Sequence, residues 1–144
     1  MPKRPYLPDV NVLIALSEPG HADHRRAAQW FDHIGGSRWF LCPVTEAGFV
    51  RLSADPQVGG RDIEAAIAIL RQIRALPMCA HLPILETWIE LVAPIAAHLH
   101  GYRQVTDALL LGLAIKHKSV LVTLDRHVQA LAGKDFPENV LILW

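Results

Sequence analysis

Apolar residues in this chain follow two rhythms: short continuous runs, and longer stretches in which they recur every three or four positions. The runs read as buried strands and the stretches as amphipathic helices, and their alternation predicts an α/β domain on a mainly parallel sheet. Tyr6-Leu7-Pro8 is the first strand, ending at its proline, and Val10 to Leu16 is a helix stopped by Pro19-Gly20. His21 to Ile34 reads as a helix with Ala27, Ala28, Trp30, Phe31 and Ile34 inward, closed by Gly35-Gly36. Trp39 to Cys42 is a second strand. Pro43 to Ser53 begins with proline where helices favour it and sets Val44, Ala47, Phe49, Val50 and Leu52 toward an apolar face.

Asp55-Pro56 and Gly59-Gly60 mark a loop, after which Arg61 to Ala75 is a helix with Ile63, Ile67, Leu70 and Ile73 inward. Met78 to Leu82 is a strand, Ile84 to His98 a helix and Gly101 to Gln104 a turn. Thr106-Asp107 opens the apolar helix Ala108 to Ile115, and the strand Val120 to Thr123 leads into Asp125. A last helix covers Arg126 to Ala132 before Gly133, and Val140 to Leu143 is the final strand. No internal repeat or low-complexity segment interrupts the alternation.

The 144 residues suit one domain spanning 1–144, a length that buries roughly 68–70% of the unfolded chain's surface. Apolar residues make up 51%, high enough to suggest that a partner covers some of them. Fourteen basic residues balance fourteen acidic ones, which excludes a general electrostatic nucleic-acid binder but leaves room for a local RNA site. Met1 to Pro8 carries Lys3 and Arg4 without a small-residue cleavage site, and no apolar run reaches membrane-spanning length, so a cytoplasmic protein is expected. Cys42 and Cys79 lack metal or redox spacing and read as buried thiols.

Most acids, such as Glu64, Glu90, Asp135 and Glu138, lie in polar surroundings where solvation explains them. Asp9, Glu46, Asp107 and Asp125 instead fall at or just inside helix starts among apolar residues, three of them after strands. Each alone reads as a helix cap or first-turn acid. Together, at the shared edge where parallel strands end, they would repel one another unless a cation neutralised them. Hard oxygen ligands select Mg²⁺ or Mn²⁺, ions that activate water and stabilise the leaving oxygen in phosphodiester displacement. Asn11, Thr106 and Thr123 are candidates to hold the acids in place, although taken singly Thr106 reads more strongly as a helix cap and Thr123 as a plain strand residue. Arg51 could reach a phosphate, although a surface arginine is the simpler reading.

The strings Leu7-Pro8-Asp9-Val10-Asn11-Val12-Leu13-Ile14, Thr45-Glu46-Ala47-Gly48-Phe49-Val50-Arg51-Leu52, Thr106-Asp107-Ala108-Leu109-Leu110 and Val122-Thr123-Leu124-Asp125-Arg126 resemble, in order and spacing, the PIN domain of VapC-type toxin ribonucleases. The resemblance implies a three-layer α/β/α sandwich, Mg²⁺- or Mn²⁺-dependent RNA cleavage, and a cognate antitoxin. It implies that Asp9 and Asp107 are metal ligands, Glu46 a ligand or positioner of water, and Asp125 a ligand directly or through water. Asn11 and Thr123 match polar positions beside the family's acids. A homodimeric toxin is the expectation, with the apolar faces of Val44 to Leu52 and Ile63 to Ile73 as candidate dimer or antitoxin surfaces. A PIN-like nuclease that is not a toxin is the alternative.

Three rivals compete. A phosphoacceptor receiver domain needs paired acids after its first strand and a lysine after a late strand, whereas Val10 and Asn11 follow Asp9 and no lysine follows Val120 to Thr123. A histidine-ligated hydrolase would draw on His21 with His24 or His98 with His100, but these lack a His-Glu-x-x-His signature and read as surface or capping residues; His24 and His127 are candidate RNA contacts only. A pure interaction module, with acids that only cap helices, remains open. Nucleotide-binding glycine motifs are absent from the sequence.

Overall fold

Five short parallel strands form one sheet in the order β3-β2-β1-β4-β5, comprising β1 (Tyr6–Pro8), β2 (Trp39–Leu41), β3 (Cys79–His81), β4 (Val120–Thr123) and β5 (Val140–Ile142). The structure is a computed structural model that describes residues 3–144, so the first two residues of the segment read for a leader lie outside it. Side chains alternate across the sheet as period-two strands require. Leu7, Phe40 and Leu121 enter one core, while Trp39, Leu41 and Val122 enter the other.

The first core packs against α5 (Trp88–Val92), α6 (Val105–Lys116) and α7 (Val128–Ala132). The second packs against α1 (Val10–Ser17), α2 (His24–Ile34) and Phe49 of α3 (Pro43–Ala54), with α4 (Ile63–Arg74) flanking it. Helices on both faces of a parallel sheet make the expected α/β/α sandwich. Among the described residues no helix is long and apolar enough to cross a membrane.

The helices depart from the sequence pattern where local chemistry intervenes. Only the middle of Ile84 to His98 is α-helical: Thr87 caps α5 by accepting from Glu90 N–H, and Pro94, which has no N–H to donate, turns the continuation into a 3₁₀ segment. The helix expected from His21 starts at His24, because the His21 ring accepts from Asp23 N–H and holds a turn there. Helix α7 starts at Val128 rather than Arg126. Helix α4 forms where expected, but Ile63 is 54% exposed and only Ala66 is fully buried. Its Ile69 and Ile73, with Leu76 beyond its end, instead line an apolar groove of about 510 Å³ shared with Leu13, Leu16, Phe31 and Trp39.

Gly112 explains how α6 reaches its place. A Cβ there would lie 2.1 Å from the carbonyl oxygen of Leu91, so only glycine lets α5 and α6 touch backbone to backbone. That contact seats α6 and, in its first turn, Asp107.

Candidate functional site

The chain adds β2 and β3 on one side of β1, then returns to add β4 and β5 on the other, so the connections diverge between β1 and β4. Ligands of open α/β sheets bind at the carboxyl ends of strands at such a divergence. Asp9 follows β1 there and Asp125 follows β4.

Thr123, the last residue of β4 and fully buried, ties the two together. Its hydroxyl donates to Asp9 Oδ2 at 3.0 Å and accepts from the Asp125 N–H at 3.1 Å and from Asn11 Nδ2 at 3.2 Å. One donor and two acceptor sites are the whole capacity of a hydroxyl, so this side chain is saturated. Asn11 Oδ1 accepts from Leu124 N–H at 3.3 Å, fixing the amide between α1 and the end of β4. Asp9 is 7% exposed and caps α1, its Oδ1 accepting from Val10 N–H at 2.7 Å. Thr123 thus bonds to Asp9 and to the Asp125 backbone, and Asn11 reaches them only through the Thr123 hydroxyl.

Burial pushes the Asp9 carboxyl above its ordinary value; its two hydrogen bonds oppose this, and the nearby Asp125 charge adds to it. Asp107 is pushed up to about 6, first by burial and then by the charges of Asp9 and Asp125. No cation of the described residues enters either balance. Three acids from α1, α6 and the β4–α7 connection thus share one electrostatic neighbourhood. In this conformation their carboxylates act as neighbouring charges; among the described residues no group of three acids, histidines or cysteines closes into a coordination sphere. The donor chemistry of these carboxylates, all of it oxygen, suits a hard divalent cation.

Glu46 stands apart. It lies in the first turn of α3, where Gly48 lets that helix close on α1: a Cβ there would sit 2.6 Å from a Val10 methyl. Its Oε2 accepts from Arg74 Nη1 at 2.8 Å, and it does not contribute to the shift at Asp107. Arg74 could not have been found from spacing, since it is 28 residues away and reads as an ordinary basic residue at the end of α4.

Other candidates are placed as follows. Asp125 precedes α7 instead of starting it, and its Oδ1 accepts from the backbone of His127 at 2.9 Å and pairs with that ring at 3.0 Å. Thr106 is the second residue of α6, not its cap; it is exposed, and its hydroxyl makes no hydrogen bond among the described residues, so it does not support the acids in this structure. Arg51 is exposed in the last turn of α3 and forms no ion pair among the described residues. Of the histidine pairs, His24 and His98 serve the fold: His24 Nδ1 lies 2.7 Å from the Ala15 carbonyl oxygen and His98 Nδ1 2.9 Å from that of Leu131, while His100 is exposed. Both cysteines are free, and burial pushes the Cys79 thiol up to about 11, which keeps it protonated and unreactive.

Comparison with known proteins gives the same frame. The PIN domain family model matches residues 6–134. Ribonuclease VapC38 of Mycobacterium tuberculosis is 41% identical over 127 residues, covering 86% of this chain and 87% of the relative. Ribonuclease VapC39 of Mycobacterium tuberculosis is 37% identical over 120 residues, covering 81% and 86%. Ribonuclease VapC44 of the same species is 34% identical over 130 residues, covering 86% and 88%. With this span of likeness on both sides, the chain belongs to the PIN domain family, among the VapC ribonucleases.

Proposed function

We propose that this chain is a Mg²⁺- or Mn²⁺-dependent endoribonuclease, the toxin of a toxin–antitoxin pair, folded as one domain and acting in the cytoplasm. The observation that carries the reading is the shared neighbourhood of Asp9, Asp107 and Asp125, three acids of which Asp9 and Asp107 have no cationic side chain of the described residues to offset their mutual repulsion. Asp9 and Asp107 are the assigned ligands, with Asp125 beside them; Glu46, held by Arg74, is a further ligand or positions water. When bound, the ion supplies charge neutralisation and activates water against the phosphodiester. The chain's own part is to fix Asp9 through Thr123 and Val10, to hold Asp125 through the Thr123 hydroxyl, and to keep Asp107 half out of water.

The family points to RNA as substrate and a cognate antitoxin as partner, and the proposal adds a second copy of the chain. Of the two apolar faces, Val44 to Leu52 is largely occupied by contacts of α3 with α1 and α4. The groove beside Ile69, Ile73 and Leu76 remains open and is the better antitoxin surface. The competing reading, acids that only cap helices, draws on Asp9 at the start of α1. It leaves Asp107 unexplained, because a first-turn acid needs no burial against two other carboxylates.

The test is RNA cleavage by wild type, Asp9→Asn and Asp107→Asn in Mg²⁺, in Mn²⁺ and in EDTA. Cleavage should need the ion and both aspartates. Full activity in EDTA, or in either variant, would sink the mechanism.

A further inference from the structure

At the same strand ends, on the flank away from Glu46, an arginine and a tryptophan meet. Strand β5 pairs with β4 through Thr123 and Ile142, and Leu143 N–H donates to the Thr123 carbonyl at 2.9 Å. The next residue, Trp144, therefore emerges at the edge that carries Asp125. Arg126 follows Asp125 directly, and its guanidinium carbon lies 4.3 Å from the centre of the Trp144 ring. Trp144 is nevertheless 60% exposed. With one face under the guanidinium, that exposure belongs chiefly to the other face and the ring edges.

An exposed apolar side chain alone says little, since folded surfaces carry many. This one differs in three ways: its ring is oriented by a cation, it stands beside the acid cluster, and it contributes nothing to either core. The chain also has no net charge, so RNA cannot be gathered by a general positive field and must be held by local contacts. Unpaired bases are held by stacking on aromatic rings and guanidinium planes, and the adjoining phosphates by arginine.

We propose that Trp144 and Arg126 form a nucleotide subsite that stacks an unpaired base on the indole and meets its phosphate with the guanidinium, so that the strand entering the acid cluster must be single-stranded there. The subsite rests on the ribonuclease reading above for its purpose, but its binding can be measured without cleavage. Tyr102 beside Arg103, ahead of α6, is less suited: the two are chain neighbours at 5.7 Å, a local pairing not built by the fold.

The experiment measures binding of a short labelled oligouridylate in EDTA to wild type, Trp144→Ala, Trp144→Phe and Arg126→Ala, with an abasic oligonucleotide of the same backbone beside it. Melting temperatures confirm that each variant folds. Trp144→Ala should weaken oligouridylate binding about tenfold or more while leaving abasic binding unchanged, and Trp144→Phe should recover most of the loss. Arg126→Ala should flatten the log–log salt dependence by about 0.7. Oligouridylate should quench tryptophan emission more strongly in wild type than in Trp144→Phe, because Trp30 and Trp39 are buried and Trp88, the other exposed tryptophan, lies on α5 and is unchanged in the variant.

Equal affinity of wild type and Trp144→Ala, an equal loss on the abasic strand, or no binding by wild type overturns the subsite. Wild type that binds as described but cleaves no RNA in Mn²⁺ removes the ribonuclease reading and leaves the subsite standing. Cleavage by wild type with unchanged KM in Trp144→Ala does the reverse.

Discussion

Glu46 and Asp107 occupy matching positions. Each lies in the first turn of a twelve-residue helix, α3 for one and α6 for the other, where the exposed N–H groups favour an anion. Their surroundings then part. Glu46 meets Arg74 at 2.8 Å, a cation supplied from α4. Asp107 meets Asp9 and Asp125, and burial beside those charges pushes its carboxyl up to about 6. A helix start thus accounts for an acid but does not say what neutralises it; the elements brought beside it decide. At Glu46 the charge is answered inside the chain. At Asp107 the answer must come from a proton or a bound cation.

The contrast breaks most visibly at the aspartates. Asp9→Asn and Asp107→Asn should each lower RNA cleavage by more than the roughly 10–100-fold cost typical of losing a residue that merely orients a ligand, as read by initial rates in Mn²⁺. Residual activity near wild type in either would return Asp107 to the standing of Glu46.

Next is Thr123→Val, which removes the hydroxyl joining Asp9, Asp125 and Asn11 while keeping the side chain's shape. Activity should fall by about 10–100-fold and the fold should lose about 1–3 kcal/mol in denaturant unfolding, since the buried Asp9 oxygen is left without its donor. A variant as stable and active as wild type would show that Asp9 needs no support from β4.

The third effect is on stability against pH in metal-free protein. Folding raises the Asp107 carboxyl from 3.8 to about 6, so the folded state holds this proton more tightly than the unfolded chain. The resulting stabilisation is complete below about pH 4 and is lost as pH climbs through about 6. Melting temperature in EDTA should therefore fall from pH 5 to pH 7 more steeply in wild type than in Asp107→Asn. Identical slopes would mean that neither burial nor the neighbouring charges raise the Asp107 carboxyl.

The smallest effect belongs to the other corner. Arg74→Ala frees Glu46 from an ion pair whose arginine is half exposed, so melting temperature should barely move. Mn²⁺ dependence of cleavage should shift no more than severalfold. A collapse of activity comparable to Asp107→Asn would place Glu46 among the coupled acids after all.

Much of this was legible in the sequence, for reasons that particular residues make plain. Strands Tyr6–Pro8 and Val120–Thr123 stand out because strands buried on both faces are continuously apolar, and the acids following them mark the strand ends. The helix through Pro43 and Phe49 is announced by its proline and its period. Other features lie beyond periodicity. The pattern of α4 shows which residues are apolar but not which are covered, so Ile63 points outward and Ile69 and Ile73 line an open groove. The stretch from Ile84 to His98 has helical composition, yet one cap at Thr87 and one missing N–H at Pro94 cut it short. Within the site, topology leads to the expectation that Asp9, Glu46, Asp107 and Asp125 all meet at one edge; Asp9, Asp107 and Asp125 act on one another, whereas the Glu46–Arg74 pair and the Arg126–Trp144 stack depend on contacts between distant segments.

Calorimetric titration of metal-free protein with Mn²⁺ near neutral pH and without RNA tests the central claim most directly. Wild type should bind the ion, Arg74→Ala should bind it nearly as well, and Asp107→Asn should bind it far more weakly. Binding of equal strength in wild type and Asp107→Asn, or no binding by wild type, would contradict the account.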